Sequence, residues 1–338
     1  MPYTSIAVRI CLLPGLIVSG IEPGGSRTHS YIVASNISAI DWSWNGFNRV
    51  AFCVGDKAEP EILLGTLDPA RMECQINQSI GVGSLPVFVD AGNLVYAGEK
   101  GKLLRVTLEG SNPKSTNAAS LNATSGVNAV RVIGDQLWFY AVNDDGGARL
   151  SVKMFRSGVA LQDAHRLGAG YYPRPFDNES FLYSDFDREY SLRKGRIVNG
   201  SADGDPIVAE GPAYFAEVSF ELGAIIFQRG SGDEGRIVST SLNGEQERLL
   251  STRGMSGVFP RLSPSQRLVA FGEYTRGGNA PLKLRVLKID GTEVHSESTK
   301  NTSAMTMFRW APSESRLAVL RQGDDAKLLL SVIDFPGR

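Results

Sequence analysis

The sequence predicts an all-β fold, a seven-bladed β-propeller of four-stranded antiparallel blades, on three observations. Apolar anchors recur at near-constant spacing, a short apolar strand follows each anchor, and the last unit lacks a fourth strand that a run near the N-terminus can supply. The anchors are Trp42, Phe88, Val132, Phe176, Val218, Leu262 and Trp310, separated by 46, 44, 44, 42, 44 and 48 residues. A period in this range marks propeller blades.

The unit is clearest over Phe308–Asp334. A strand ends at Trp310, a Pro/Ser turn follows, Arg316–Leu320 reads as a second strand, and a Gly-Asp-Asp turn leads into a third, Lys327–Asp334. Second strands recur at Arg49–Phe52, Asn93–Tyr96, Gln136–Tyr140, Phe181–Tyr183, Ala224–Phe227 and Arg267–Phe271. Third strands include Lys102–Leu108, Arg149–Phe155, Arg236–Leu242 and Leu282–Ile289. Most are followed by a Gly-containing turn such as Asn243-Gly244 or Asp290-Gly291. A single four-stranded unit cannot bury both faces of its sheet, so such units stack radially around a channel. The last unit stops after its third strand, at Phe335. In complete units the outer strand precedes the next anchor, and the same distance back from Trp42 reaches Ser30–Ser35. That N-terminal strand is expected to close the ring.

Trp42-Ser-Trp-Asn-Gly46, Leu262-Ser-Pro-Ser-Gln-Arg-Leu-Val-Ala-Phe271 and Trp310-Ala-Pro-Ser-Glu-Ser-Arg-Leu-Ala-Val319 resemble the W-S-P-D-G-x-x-I-A-F core of TolB-like, WD-like propeller repeats. Units two to five keep the strand pattern without the Ser-Pro turn. The resemblance implies the propeller fold and, by analogy of role, a bacterial periplasmic or secreted setting at the cell envelope. It implies no particular activity, because this fold carries many functions.

The chain has 338 residues, 42% of them hydrophobic, with 35 basic against 36 acidic side chains. The balance gives none of the basic excess that nucleic-acid binding uses. No stretch of 18 residues is apolar and free of charge, so no transmembrane helix is expected. Residues 1–29 read as a signal peptide or N-terminal tail: Ile6–Val18 is apolar apart from Arg9 and Pro14, and Val18-Ser-Gly20 offers small residues for cleavage. Residues 30–338 read as a single propeller domain, since all-β domains often run long.

Signals for catalysis are sparse. His29, His165 and His295 fall before the ring and on two separated outer strands, so neither a zinc site nor a Ser-His-Asp set is predicted. Cys53 and Cys74 lie on the second and fourth strands of the first unit. That is about 9 to 10 Å at ordinary strand spacing, too far for a disulfide, which needs Cα atoms within about 7 Å. Both read as small apolar fillers.

The most informative set stands one position before the anchors, on the strand nearest the channel. It reads Asp41, Val87, Arg131, Pro175, Glu217, Arg261 and Arg309, with Arg174 one step further back. A shared register places these charges at similar depth around the axis. Arg131, Arg174, Arg261 and Arg309 then suit a carboxylate, a phosphate or an acidic side chain. The alternative is pairing between blades, Asp41 with Arg309 and Glu217 with Arg261. Tyr171 and Tyr172, just ahead of an inner strand, are candidates for the channel mouth.

The turns between second and third strands carry Asp56, Glu99, Asp144, Asp145, Asp185, Asp187, Asp233, Glu234, Asp324 and Asp325. Clustered carboxylates are hard-cation ligands, so this collar could attract a basic partner or bind calcium. Asp also suits tight turns sterically, and no turn has the D-x-D-x-D-G spacing. No cofactor is expected.

These readings point to a non-enzymatic binding or scaffold protein that recognises a protein partner or a small acidic ligand at the channel mouth. A propeller enzyme, a glycan hydrolase or lyase with its site in the channel, is the alternative.

Overall fold

Runs of β-branched and aromatic residues punctuated by Gly, Asn and Asp turns form strands throughout the chain. The computed structural model describes residues 27–33, 39–55, 59–98, 102–108, 114–120, 125–133, 135–143, 151–161, 164–197, 204–208, 211–276, 282–299, 308–311, 316–322 and 328–335. Strand β1 (Arg27–Val33) precedes β2 (Ala39–Trp44), β3 (Arg49–Val54), β4 (Glu61–Asp68) and β5 (Glu73–Val82). A four-stranded antiparallel sheet follows, made of β6 (Ser84–Phe88), β7 (Asn93–Ala97), β8 (Lys102–Thr107) and β9 (Lys114–Ser120). The next holds β10 (Ser125–Ile133), β11 (Gln136–Asn143), β12 (Ser151–Gly158) and β13 (Ala164–Ala169). Then come β14 (Tyr171–Pro175), β15 (Ser180–Asp185), β16 (Ser191–Arg196) and β17 (Asp205–Val208). Strands β18 (Ala213–Ser219), β19 (Ala224–Arg229), β20 (Arg236–Ser241) and β21 (Arg248–Leu249) form another sheet. A further sheet holds β22 (Met255–Leu262), β23 (Leu268–Thr275), β24 (Leu282–Lys288) and β25 (Glu293–Thr299). The chain ends with β26 (Phe308–Trp310), β27 (Arg316–Gln322) and β28 (Leu328–Asp334). Among the described residues there is no α-helix, only 3₁₀ turns at Phe186–Arg188 and Gly232–Glu234.

The protein is thus an all-β propeller, but its sheets are not the seven separate four-stranded blades the sequence suggests. Five sheets have four strands, and a sixth has eight in the order β2-β3-β4-β5-β1-β28-β27-β26. The physical reason is edge pairing. The outer strand β5 meets β1 in a short parallel ladder, Ile32 opposite Glu73 and Val33 opposite Cys74, which joins two four-strand runs at their rims.

Strand β1 closes the ring, beginning at Arg27 rather than at Ser30. It pairs antiparallel with β28 along its whole length, Arg27 opposite Asp334 through Val33 opposite Leu328. His29, expected before the ring, therefore lies within this strand and is exposed. His165 is exposed on β13, whereas His295 on β25 is buried. Residues 1–26, with the apolar run Ile6–Val18, lie outside the described residues.

The core is a series of apolar layers between successive sheets. Second strands are covered on both faces and so are buried almost continuously, as in Val50–Cys53, Ser180–Ser184 and Ala224–Gln228. One layer sets Ile226 and Ile237 against Val269 and Phe271, and the next sets Ala270 and Val286 against Leu317 and Val319. The closing layer packs Trp42, Trp44 and Phe52 against Ala318, Leu320, Leu330 and Val332, with Tyr31 and Val33 of β1 at its edge. The two halves of the eight-stranded sheet therefore face one another. Trp310 differs from Trp42 in being only partly buried; its indole Nε1 donates to the Arg261 carbonyl at 3.0 Å. Cys53 and Cys74 are free and buried, on β3 and β5 with β4 between them. Burial pushes their thiols up to about 11 and about 12.

Trp42→Ala should cost about 3 to 5 kcal/mol through lost burial and the cavity left behind. Deleting residues 27–33 should lower the melting temperature and promote association through the exposed β28 edge. Urea unfolding and thermal scans check both, and native-like midpoints would count against the closure described.

Candidate functional site

A repeated backbone irregularity sets which side chains reach the axis. In β2, β6, β10, β14, β18 and β22 the ladder to the next strand slips, between Ala39 and Asp41, Ser84 and Val87, Asn128 and Arg131, Tyr171 and Arg174, Tyr214 and Glu217, and Val258 and Arg261. Such bulges re-aim side chains. Leu85, Tyr172, Phe215 and Phe259 fall inside them in the left-handed region, with φ of 52°, 53°, 54° and 54°. Bulky residues there store backbone strain of about 1 to 3 kcal/mol each.

The residues just past the slips are Asp41, Val87, Arg131, Arg174, Glu217 and Arg261, and Arg309 of β26 stands in the same register opposite Ala318. This corrects one position. Arg174, not Pro175, belongs to the ring, because Arg174 pairs with Leu182 while Pro175 takes the anchor place opposite Phe181. Phe176 lies one residue beyond the anchor register. The signal was in the sequence: Tyr172-Pro-Arg-Pro175 aligns with Phe259-Pro-Arg-Leu262 on its aromatic-Pro-Arg core.

All six charged residues line one central cavity of about 940 Å³, to which β2, β6, β10, β14, β18, β22 and β26 all contribute. Asp41 and Arg309 form a close ion pair across the seam between first and last units. Arg309 also donates to the Trp42 carbonyl at 3.1 Å and the Phe308 carbonyl at 2.9 Å, and its guanidinium lies 5.5 Å from the Trp42 ring centroid. Glu217 sits between two arginines, with Oε2 3.7 Å from Arg174 Nε and Oε1 3.4 Å from Arg261 Nη1. Pairing between units is therefore present for both carboxylates. Arg131 lines the same cavity with no carboxylate partner among the described residues.

Four guanidinium groups and two carboxylates share this space, so the local charge favours anions. Arg174 is 2% exposed, and burial lowers its pKa despite the opposing influence of Glu217. Arg261 is brought down to about 9, first by burial and then by repulsion from Arg309, with Asp41 working the other way. Burial raises the Glu217 carboxyl above the ordinary carboxylate range, against the pull of Arg174. Each shift has the same origin: ionised groups stripped of water and incompletely compensated.

Aromatic rings flank the charged ring. Tyr172 lines the cavity and packs 4.2 Å from Phe215, over which Arg261 lies at 5.6 Å. Tyr140 also lines the cavity and meets Tyr172 edge-on at 5.3 Å. Tyr171 packs instead on Tyr140 and Tyr190, at 5.2 and 5.7 Å. Neither the Tyr140 ring nor the Phe215 ring was signalled by the repeat pattern: Tyr140 ends the second strand Gln136–Tyr140, and Phe215 stands two positions before the Glu217 register.

The acidic turns divide. Asp56, Glu99, Asp144, Asp145, Asp324 and Asp325 lie outside the described residues. Asp185 accepts from the Asp187 backbone N–H at 3.1 Å and pairs with Arg188 and Arg193, a turn-forming role. Asp233 and Glu234 stand in a 3₁₀ turn. Among the described residues no three His, Cys, Asp or Glu side chains gather in a way that could hold a metal ion.

No family model and no curated protein matches the sequence. Solved structures share the fold. An oligogalacturonate lyase in complex with manganese superposes over 93% of this chain and 94% of its own, with a TM-score of 0.60 at 11% identity. The C-terminal WD40 domain of Sif2 covers 89% of this chain and 97% of its own, with a TM-score of 0.56 at 11% identity. TolB from Acinetobacter baumannii matches 77% of this chain and 66% of its own, with a TM-score of 0.50 at 15% identity. The chain thus has the β-propeller fold of TolB-like and WD-like repeat proteins; at these identities the likeness concerns the fold alone.

Arg309→Ala should lower stability by about 1 to 3 kcal/mol, because it strands Asp41 and removes two backbone contacts. Arg131→Ala should change it by no more than about 0.5 kcal/mol. Urea midpoints of the two variants test the contrast, and equal losses would contradict these assignments.

Proposed function

We propose that this propeller is a binding module that takes an acidic group of a protein partner, or a small acidic ligand, into its central channel. The observation that carries this reading is the cavity in which four arginines face two carboxylates, with no carboxylate paired to Arg131 among the described residues. Guanidinium groups bind carboxylates through paired, charge-assisted hydrogen bonds, and the surrounding protein limits competition from water. Against acid–base chemistry, Asp41 is held by Arg309 and Glu217 lies between two arginines.

The same reading treats residues 30–338 as one domain of seven four-stranded units, two of them joined at their rims through β1 and β5. Its setting is the bacterial cell envelope, argued from the apolar run Ile6–Val18 followed by Val18-Ser-Gly20. No helix among the described residues is long and apolar enough to cross a membrane.

A second reading, a propeller enzyme acting on an acidic glycan, draws on Tyr172 and Phe215 sharing the cavity with Arg174 and Arg261. Aromatic faces stack on sugar rings while arginines take the carboxylate. One structural neighbour is an oligogalacturonate lyase. Elimination would leave a double bond conjugated to a carboxylate, so new ultraviolet absorbance on incubation with oligogalacturonate would favour this alternative.

The binding reading is tested by affinity capture from a cell-envelope extract with native protein and Arg131→Ala as paired baits. A partner held by the native protein, displaced by free glutamate and weakened about 10-fold or more by Arg131→Ala is the expected result. Retention indifferent to both would count against a channel-bound acidic group.

A further inference from the structure

We propose that Glu217 is a built-in competitor for the channel's anion: its carboxylate occupies the place between Arg174 and Arg261 that an incoming carboxylate would take. The inference rests on the anion-binding reading above and concerns how that site is regulated.

The geometry separates Glu217 from Asp41. Asp41 is locked to Arg309 by a close hydrogen-bonded contact at the seam of the ring. Glu217 instead divides its two oxygens between two guanidinium groups, at 3.7 and 3.4 Å. Neither contact is the paired, short arrangement that a guanidinium and a carboxylate prefer, near 2.7 to 2.9 Å. Arg174 is almost wholly buried, yet among the described residues its Nε has no hydrogen-bond partner. Its Nη1 and that of Arg261 donate to the carbonyls of Pro173 and Pro260, at 3.0 and 2.9 Å, which anchors both side chains. The clamp is therefore held in place by backbone contacts that do not involve Glu217. A ligand carboxylate with better geometry would displace a weak partner rather than build a site.

The charged and titratable groups that share the cavity with Glu217 are Arg174 and Tyr172 on β14, Arg261 on β22, Arg309 on β26, Asp41 on β2, Arg131 on β10, Tyr140 on β11 and Cys53 on β3. Among the described residues no histidine lines the cavity. Burial raises the Glu217 carboxyl to about 7, with Arg174 opposing. Between pH 8 and pH 6 Glu217 thus gains a proton, its claim on the two arginines ends, and anion affinity rises. If only the protonated form admits the anion, a group titrating near 7 gives about a ten-fold change over this interval.

Tartrate is a suitable probe because both its carboxylates stay ionised from pH 6 to 8. Calorimetric titration of the native full-length chain should show binding about ten-fold tighter at pH 6 than at pH 8. Glu217→Gln should bind at pH 8 about as tightly as the native protein at pH 6, with little pH dependence. Asp41→Asn should keep the native pH dependence, since Asp41 does not lie between Arg174 and Arg261. Equal affinities for native and Glu217→Gln at pH 8 would overturn the competitor role while leaving anion binding intact. So would Asp41→Asn reproducing the Glu217→Gln profile, which would mean that any lost negative charge suffices. Tartrate binding to none of the proteins at either pH would overturn the anion-binding reading and this inference with it. Should Glu217→Gln fail to fold, the native profile decides alone, and a flat response between pH 6 and 8 refutes the proposal.

Discussion

Ring closure is the constraint on which the rest of the structure depends. A strand such as β27, apolar on both faces, is stable only when a neighbouring sheet covers each side, and for the last unit one of those neighbours is the first. The ladder between β1 and β28 and the layer of Trp42, Phe52, Leu320 and Leu330 supply that cover. The central cavity exists because the ring closes. Its most firmly tied charges, Asp41 and Arg309, stand on either side of the seam. Stability and site geometry are coupled there: Arg309 also grips the carbonyl of Trp42, the residue that anchors the closing layer.

The bulges of the inner strands connect fold to chemistry. A regular strand would alternate its side chains strictly, and one residue of slip transfers the whole pattern to the other face. At these slips β2, β10, β14, β18 and β22 present a charged residue to the channel, and β6 presents Val87, while the anchors return to the apolar layers. Leu85, Tyr172 and Phe215, held at positive φ, line the cavity beside those charges. The repetition of this strained conformation in successive units marks it as part of the architecture rather than a local accident.

Within the channel the ion-paired charges fall into two groups. One pair is rigid, hydrogen-bonded and integrated with the backbone. The other, Glu217 with Arg174 and Arg261, is loose, and its members are shifted by burial in directions that disfavour ionisation. The fold likeness to a lyase, a WD40 domain and TolB shows how widely this scaffold is used, and none of those likenesses supplies a function here.

The sequence by itself determined the repeat, the all-β class, the ring-closing strand and the presence of Asp41, Arg131, Glu217, Arg261 and Arg309 in one register. Those features follow from local pattern: apolar periodicity, turn residues and a constant offset from an anchor. Tertiary structure decided the rest. The anchor of the fourth unit moved from Phe176 to Pro175 and Arg174 entered the ring, because a bulge is a matter of pairing between strands and leaves only a faint trace in spacing. The joining of two units into one eight-stranded sheet arose from contact between β1 and β5, whose paired residues Ile32 and Glu73 are 41 positions apart and unrelated by the repeat. Whether a channel charge is locked or loose depends on ångström-scale distances across neighbouring sheets, which no linear pattern encodes.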